Sequence, residues 1–129
     1  MARKQSPILT EGELEIMEVL WDRREASVRD VTEALSGRRP VAYNTVLTML
    51  RILKDKSYAA YRKEGRAFIY YPLITRREAR SRALRNLIGS FFDGSAVALA
   101  QNLVDDTEID LAELERLQSK IDDEKGERP

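Results

Sequence analysis

The chain has 129 residues, 43% hydrophobic and 34% charged, a balance typical of a small, helix-rich globular protein. It contains no cysteine and no histidine, which excludes disulfides, zinc fingers, thiol nucleophiles and the commonest general base. Its apolar stretches are too short to span a membrane, and its N-terminus lacks the apolar core of a signal peptide. We therefore expect a cytoplasmic protein without a membrane partner, metal or cofactor.

The net charge is zero, but the two signs are separated along the chain. Residues 1–85 carry 18 Lys and Arg against 11 Asp and Glu, a net charge of +7, whereas residues 86–129 carry a net charge of −7. This asymmetry favours an N-terminal part that binds a polyanion and a C-terminal part held away from it. An ordinary dipolar surface is the alternative.

Two capping boxes predict the first two helices. Thr10–Glu13 begins a helix that runs to about Asp22, with an apolar face that includes Trp21 near its end. Ser27–Asp30 begins a shorter helix that ends near Gly37, because glycine accepts the left-handed conformation of a helix C-terminus. We expect Trp21 to belong to the core.

A third helix is predicted from about Ala42 to Lys56. Its inward stripe is Val46, Leu50 and Leu53, supported by Tyr43, Leu47 and Met49. Its opposite stripe is polar at spacings of three and four residues and includes Asn44, Thr45, Thr48 and Arg51.

The pattern then changes to two aromatic-rich, β-prone segments, 58–62 and 67–71. They flank a glycine-containing turn, residues 63–66, and together predict a hairpin with Lys63 and Arg66 at its tip. Alternate residues of a strand face opposite ways, so some of the aromatic side chains must pack on the helices. Phe68 and Tyr70 are expected in the core.

Further helices are predicted over about 75–92, over 95–104 and from Asp110 onwards. The fold class is therefore mainly α with a small β-hairpin (α+β). We expect a winged helix-turn-helix DNA-binding domain over 8–73, a helical dimerisation region over 74–122, and a charged, disordered tail over 123–129.

The third helix and the hairpin together fit a DNA reader. Short polar side chains near the start of a helix can reach base edges in the major groove, and a basic hairpin tip suits phosphate. A solvated helix face and a solubilising turn are the alternatives when each is taken separately. The predicted DNA-binding residues are Arg38, Arg39, Tyr43, Asn44, Thr45, Leu47, Thr48, Arg51, Lys63 and Arg66.

The C-terminal helices carry more apolar side chains than short helices can bury by themselves. A homodimer interface would cover them, and a two-fold protein would read an inverted repeat in double-stranded DNA. Packing on the winged helix within one chain is the alternative. The predicted dimerisation residues are Leu84, Leu87, Ile88, Phe91, Leu99, Leu103, Leu114, Leu117 and Ile121.

These segments resemble the penicillinase-repressor family (BlaI/MecI/CopY) from about Ile8 to Ile121. The resemblance implies a dimeric bacterial repressor of a promoter operator, with base contacts from Asn44, Thr45 and Leu47 or Thr48. It also implies proteolysis at Asn102–Leu103, through a sensor-protease pathway, as a route of induction. The motifs that carry it are Leu9–Glu11, Glu15–Met17, Val19–Trp21, Ser27–Val31, Ala42–Leu50 and Glu64–Tyr70.

Three departures from the family pattern matter. The absence of cysteine excludes the thiolate copper sensing of one branch. Leu103 stands where the best-known members have phenylalanine after the cleavage point. Ser57 stands where many members have glycine after the third helix. Serine disfavours the left-handed conformation there, so we expect either a cost of about 1 kcal/mol or a shifted turn.

The leading function is therefore a sequence-specific DNA-binding transcriptional repressor. The alternative is a winged helix that binds another protein, which would call for an apolar or acidic face on the third helix. An enzyme is not expected, because only carboxylates remain for chemistry and they lie at helix caps and on solvent faces.

Overall fold

The computed structural model describes residues 8–106, 112–113, 115–116 and 118–120. The chain divides into two compact units between Leu84 and Arg85, within a helix that crosses the division. The predicted domain boundary after residue 73 stays a prediction. The elements are α1 (Glu11–Arg23), β1 (Ala26–Ser27), α2 (Val28–Ser36), α3 (Tyr43–Asp55), β2 (Ala59–Glu64), β3 (Ala67–Pro72), α4 (Arg76–Phe91) and α5 (Ala96–Asp106).

Local capping determines where the first two helices begin, as predicted. The Thr10 hydroxyl accepts from the Glu13 N–H at 3.2 Å, while the Glu13 carboxylate accepts from the Thr10 N–H at 2.9 Å. Ser27 and Asp30 make the same reciprocal pair at the start of α2, at 3.0 and 3.1 Å. Two orphan donors are satisfied at each helix start.

The hairpin is the centre of a three-stranded antiparallel sheet of order β1-β3-β2. β2 and β3 pair from Ala59↔Pro72 to Glu64↔Ala67, so the turn is the two residues Gly65–Arg66 and not the expected four. β1 pairs Ala26 with Tyr70 and was not predicted. Two residues are too few to show the alternation that signals a strand.

The core of the first unit lies between α1, α2, α3 and the sheet. Its fully buried side chains include Ile16, Met17, Leu20, Val31, Val46, Leu50, Leu53 and Tyr58. Tyr70 is 2% exposed, as expected for a core residue. Trp21 is partly buried against this core.

The prediction that Phe68 belongs to the core is wrong, because its side chain is 39% exposed. Phe68 and Tyr70 share one face of β3. Phe68 is paired with Lys63 next to the turn, whereas Tyr70 is paired with Tyr61 farther from it, and only Tyr70 reaches the core. Tyr43, which was expected to support the inward stripe of α3, is 51% exposed.

The predicted helix from Asp110, with Leu114, Leu117 and Ile121, and the tail over 123–129 lie outside the fully described residues. Within the described ranges, no single helix is long and apolar enough to cross a membrane. α4 and α5 reach the required length and composition only as a pair joined across a bend.

Candidate nucleic-acid interface

The exposed stripe of α3 is polar over its first turns. Asn44, Thr45 and Thr48 are exposed, and Arg51 continues the stripe one turn later. Val46, Leu50 and Leu53 anchor the opposite side of the helix in the core. The sequence pattern predicts this separation of a buried and an exposed helix face. Short hydrogen-bonding side chains are therefore exposed at the N-terminal end of a helix that is anchored in the core.

The N-terminus of α3 differs from those of α1 and α2. Its N-cap is Ala42, which provides no side-chain hydrogen bond to the first turn. The free N–H groups of a helix start, together with the positive end of the helix dipole, favour a phosphate oxygen. The backbone here can therefore contribute to anion binding beside the polar stripe.

A cleft separates α3 from the hairpin, which forms the wing. The cleft is about 280 Å³ and is lined by Leu47, Arg51, Lys54, Asp55, Tyr61, Phe68 and Tyr70. Within the wing, the ring of Tyr61 meets that of Phe68 edge-on at 4.9 Å between centroids. α3 thus presents two cations and the Asp55 carboxylate to this space, and the wing presents three aromatic rings.

Lys54 is a cleft residue that the sequence reasoning missed. Its Nζ lies 5.4 Å from the centroid of the Tyr61 ring. Lys54 follows Arg51 by three residues on the same helix, and this spacing could have revealed it.

The cations of the wing differ in whether a carboxylate of the protein neutralises them. Lys63 and Arg66 are exposed, and neither is paired with a carboxylate among the residues that the structure describes. Lys63 is directly opposite Phe68 in the ladder, so both lie on the face that borders the cleft. Both cations are available to an anion.

Arg62 is instead held by the protein itself. Its guanidinium donates to both Glu25 oxygens at 2.7 and 2.9 Å and to Glu64 at 2.9 Å. Hydrogen bonds from Arg62 lower the pKa of Glu25 below its ordinary value. This cation is neutralised, although it stands next to Lys63 in the sequence.

The two arginines before α3 differ in the same way. Arg39 donates to Glu15 on α1 at 2.7 Å. Arg38 is exposed and makes no ion pair within the described part of the chain. Arg38 is therefore the freer of the two predicted phosphate contacts.

The predicted dimerisation residues of α4 and α5 include large exposed apolar side chains. Phe91 is 78% exposed, and Leu84 and Leu87 are also exposed. Ile88, Leu99 and Leu103 are half-buried. Val97, which the sequence reasoning missed, is 80% exposed. The proposed cleavage point, Asn102–Leu103, lies inside α5.

Comparison with known proteins relates the chain to repressors. The family model described as penicillinase repressor matches residues 9–123. The penicillinase repressor of Bacillus licheniformis is 25% identical over 125 residues, which are 97% of this chain and 98% of that protein. The transcriptional regulator BlaI of Mycobacterium tuberculosis is 35% identical over 123 residues, covering 92% of this chain and 89% of that protein.

Among solved structures, the DNA binding domain of the repressor BlaI is similar in fold. It aligns with a TM-score of 0.51 and 34% identity, over 57% of this chain and 90% of that structure. This likeness confirms the expected winged helix-turn-helix. Together with the match over residues 9–123, it leads to one conclusion: the chain belongs to the penicillinase repressor family.

Proposed function

We propose that this protein is a sequence-specific transcriptional repressor that binds double-stranded DNA as a homodimer on an inverted-repeat operator. The observation that carries the proposal is the cleft between α3 and the wing. Its α3 side bears Arg51 and Lys54, which continue the polar helix stripe, and its wing side bears the rings of Tyr61, Phe68 and Tyr70. Beside the cleft, Lys63 and Arg66 at the hairpin tip are exposed and are not neutralised by a carboxylate in the described residues. The family's repressors and the DNA-binding domain of BlaI support the same assignment.

In this proposal the roles divide by chemistry. Asn44 and Thr45 read base edges, because an asparagine amide can bond adenine in a bidentate way and a threonine methyl can pack on thymine. Arg51, Lys63 and Arg66 contact phosphate, which supplies affinity and register without sequence information. Tyr43, Leu47, Thr48 and the two arginines before α3 complete the predicted contact surface.

A gel-shift assay after selection from random duplexes tests the function. We expect the selected site to be an inverted repeat, bound in preference to random duplex at physiological salt. Asn44→Ala or Thr45→Ala should relax the base preference by about 1–3 kcal/mol, whereas Arg51→Gln should weaken binding to all sequences alike. Absence of any sequence preference in the wild type would refute the proposal and favour the protein-interaction alternative.

The dimer part of the proposal depends on the exposed apolar side chains of α4 and α5. Leu84, Leu87 and Phe91 recur at spacings of three and four residues, so they form one helix face that a second copy can cover. Analytical ultracentrifugation should find a dimer for the wild type and a monomer for Phe91→Asp. Arg85→Asp, an exposed charge change on the same helix outside that apolar set, is the matched control and should remain dimeric.

We further propose that cleavage at Asn102–Leu103 would relieve repression. Asn102 is exposed, but the bond lies within α5 and its amide donates to Asp106. A protease therefore needs the helix to open locally. A variant with Ala100→Pro, in α5 but outside the scissile pair, should be cut faster, because proline disrupts the helix interior. Intact protein after co-expression with a sensor protease would exclude this route of induction.

A further inference from the structure

A mainly apolar cavity of about 270 Å³ lies between α1 and the first half of α4, apart from the candidate nucleic-acid interface. Leu9, Leu14, Ala79 and Ala83 contribute aliphatic surface to it. Trp21 contributes aromatic surface, and Tyr58, which is 1% exposed, lies behind the cavity wall. None of these residues belongs to the predicted DNA contacts.

Both aromatic rings are held in place by neighbouring groups. The Trp21 Nε1–H donates to the Ile74 carbonyl at 2.9 Å. The guanidinium carbon of Arg76 lies 5.2 Å from the Trp21 ring, and that of Arg82 lies 5.0 Å from the Tyr58 ring. Because the Trp21 ring is already fixed, a ligand that packs on it would lose little binding free energy to ordering side chains.

One of the cations that line this cavity has no ion pair in the described residues. The Glu18 carboxylate is paired with Arg76, whose Nη2 lies 2.6 Å from Glu18 and 3.1 Å from Asp22. Arg80 also lines the cavity, is exposed, and makes no ion pair among the described residues. The walls therefore favour a ring, and the rim favours a single negative charge.

We propose that this cavity binds a small monocarboxylic acid with one aromatic or alicyclic ring. The ring would lie against Trp21 and the aliphatic walls, and the carboxylate would face Arg80. The cavity is smaller than the range of about 300–1,000 Å³ usual for drug-sized ligands, which limits the ligand to a single ring.

Trp21 is the only tryptophan in the chain, so its fluorescence reports on the cavity directly. Benzoate is the probe and benzamide is its uncharged counterpart. Titration of the full chain should give a saturable change with benzoate, with a dissociation constant on the order of 1 mM for a ligand of about nine non-hydrogen atoms. Benzamide should bind about fivefold more weakly, the difference that a partly exposed ion pair provides.

Two variants separate the charge from the cavity. Arg80→Gln should remove the preference for benzoate over benzamide, whereas Arg77→Gln, an exposed neighbour outside the cavity, should retain it. Ala83→Leu should reduce binding of both probes by filling the space, whereas Ala98→Leu on α5 should not.

The proposal is overturned by no saturable change in the wild type, by equal binding of benzoate and benzamide, or by an unchanged preference in Arg80→Gln. A fluorescence change that follows protein concentration and is the same with and without benzoate would report self-association instead of ligand binding, and this too overturns the proposal. The titration contains no DNA, so its outcome is independent of the proposed repressor function.

Discussion

The Nζ atom of Lys56 lies 2.8 Å from Oε1 of Glu13, and the two side chains are only 4% and 5% exposed. Lys56 is the C-cap of α3, and Glu13 belongs to the first turn of α1. The same carboxylate oxygen accepts from the Thr10 N–H, and the ammonium also donates to the Ile8 carbonyl at 3.0 Å. One buried ion pair thus joins the capping box of α1 to the end of the candidate reading helix.

Lys56→Met should destabilise the fold by about 3 kcal/mol, because it leaves the Glu13 carboxylate buried without its cation. The free energy of unfolding, measured by urea denaturation, tests this. Arg29→Gln is the control, since it removes an exposed pair with Glu33 and should cost less than about 0.5 kcal/mol. The double variant Glu13→Gln/Lys56→Met should cost less than the sum of the single changes. Equal effects of Lys56→Met and Arg29→Gln would contradict this account.

Ser57→Gly should stabilise the protein by about 0.5–1 kcal/mol. Ser57 has a φ of 66°, in the left-handed region that glycine accepts more readily than serine. It occupies the C′ position of a Schellman motif, in which the Tyr58 N–H donates to the Leu53 carbonyl at 2.9 Å and the Ser57 N–H to the Lys54 carbonyl at 3.0 Å. Thermal unfolding should therefore occur at a higher temperature in Ser57→Gly.

The matched control for Ser57→Gly is Ser36→Gly at the last residue of α2, where the backbone is helical. This variant should lower the unfolding temperature, because glycine costs helix stability. If both changes shifted the temperature in the same direction, the left-handed conformation of Ser57 would not be the cause.

Arg66→Gln should reduce the salt dependence of DNA binding, lowering the slope of log K against log salt by about 1. Arg62→Gln should leave the slope nearly unchanged, because Glu25 and Glu64 already neutralise that cation. Binding measured over a series of salt concentrations compares the two. Equal slopes for both variants would mean that the ion pairs of Arg62 do not persist in the complex.

Tyr70 should make stability fall at alkaline pH. Burial raises the pKa of its phenol above the ordinary value of 10.0. Its contribution is complete below about pH 10 and is lost as the pH rises through the raised folded-state value, because the unfolded chain ionises first. Between about pH 9 and 11, the free energy of unfolding should fall less in Tyr70→Phe than in the wild type. Tyr71→Phe, which removes a phenol that does not act on Tyr70, should follow the wild type.

The sequence by itself determined the order of the helices, the hairpin and the polar stripe of α3. Capping boxes such as Thr10–Glu13 act within one turn, and helical periodicity depends only on near neighbours, so both can be read from the chain. The left-handed conformation at Ser57 was expected only from the family resemblance, which places glycine after α3.

Only the tertiary structure decided which cations form ion pairs and which side chains are buried. Arg62 and Lys63 are adjacent cations, yet Arg62 meets Glu25, 37 positions away, while Lys63 meets no carboxylate in the described residues. The exposure of Phe68, the pairing of Ala26 with Tyr70 and the buried contact of Lys56 with Glu13 likewise join distant segments. Such partners are set by how the elements pack together, and no local pattern in the sequence encodes them.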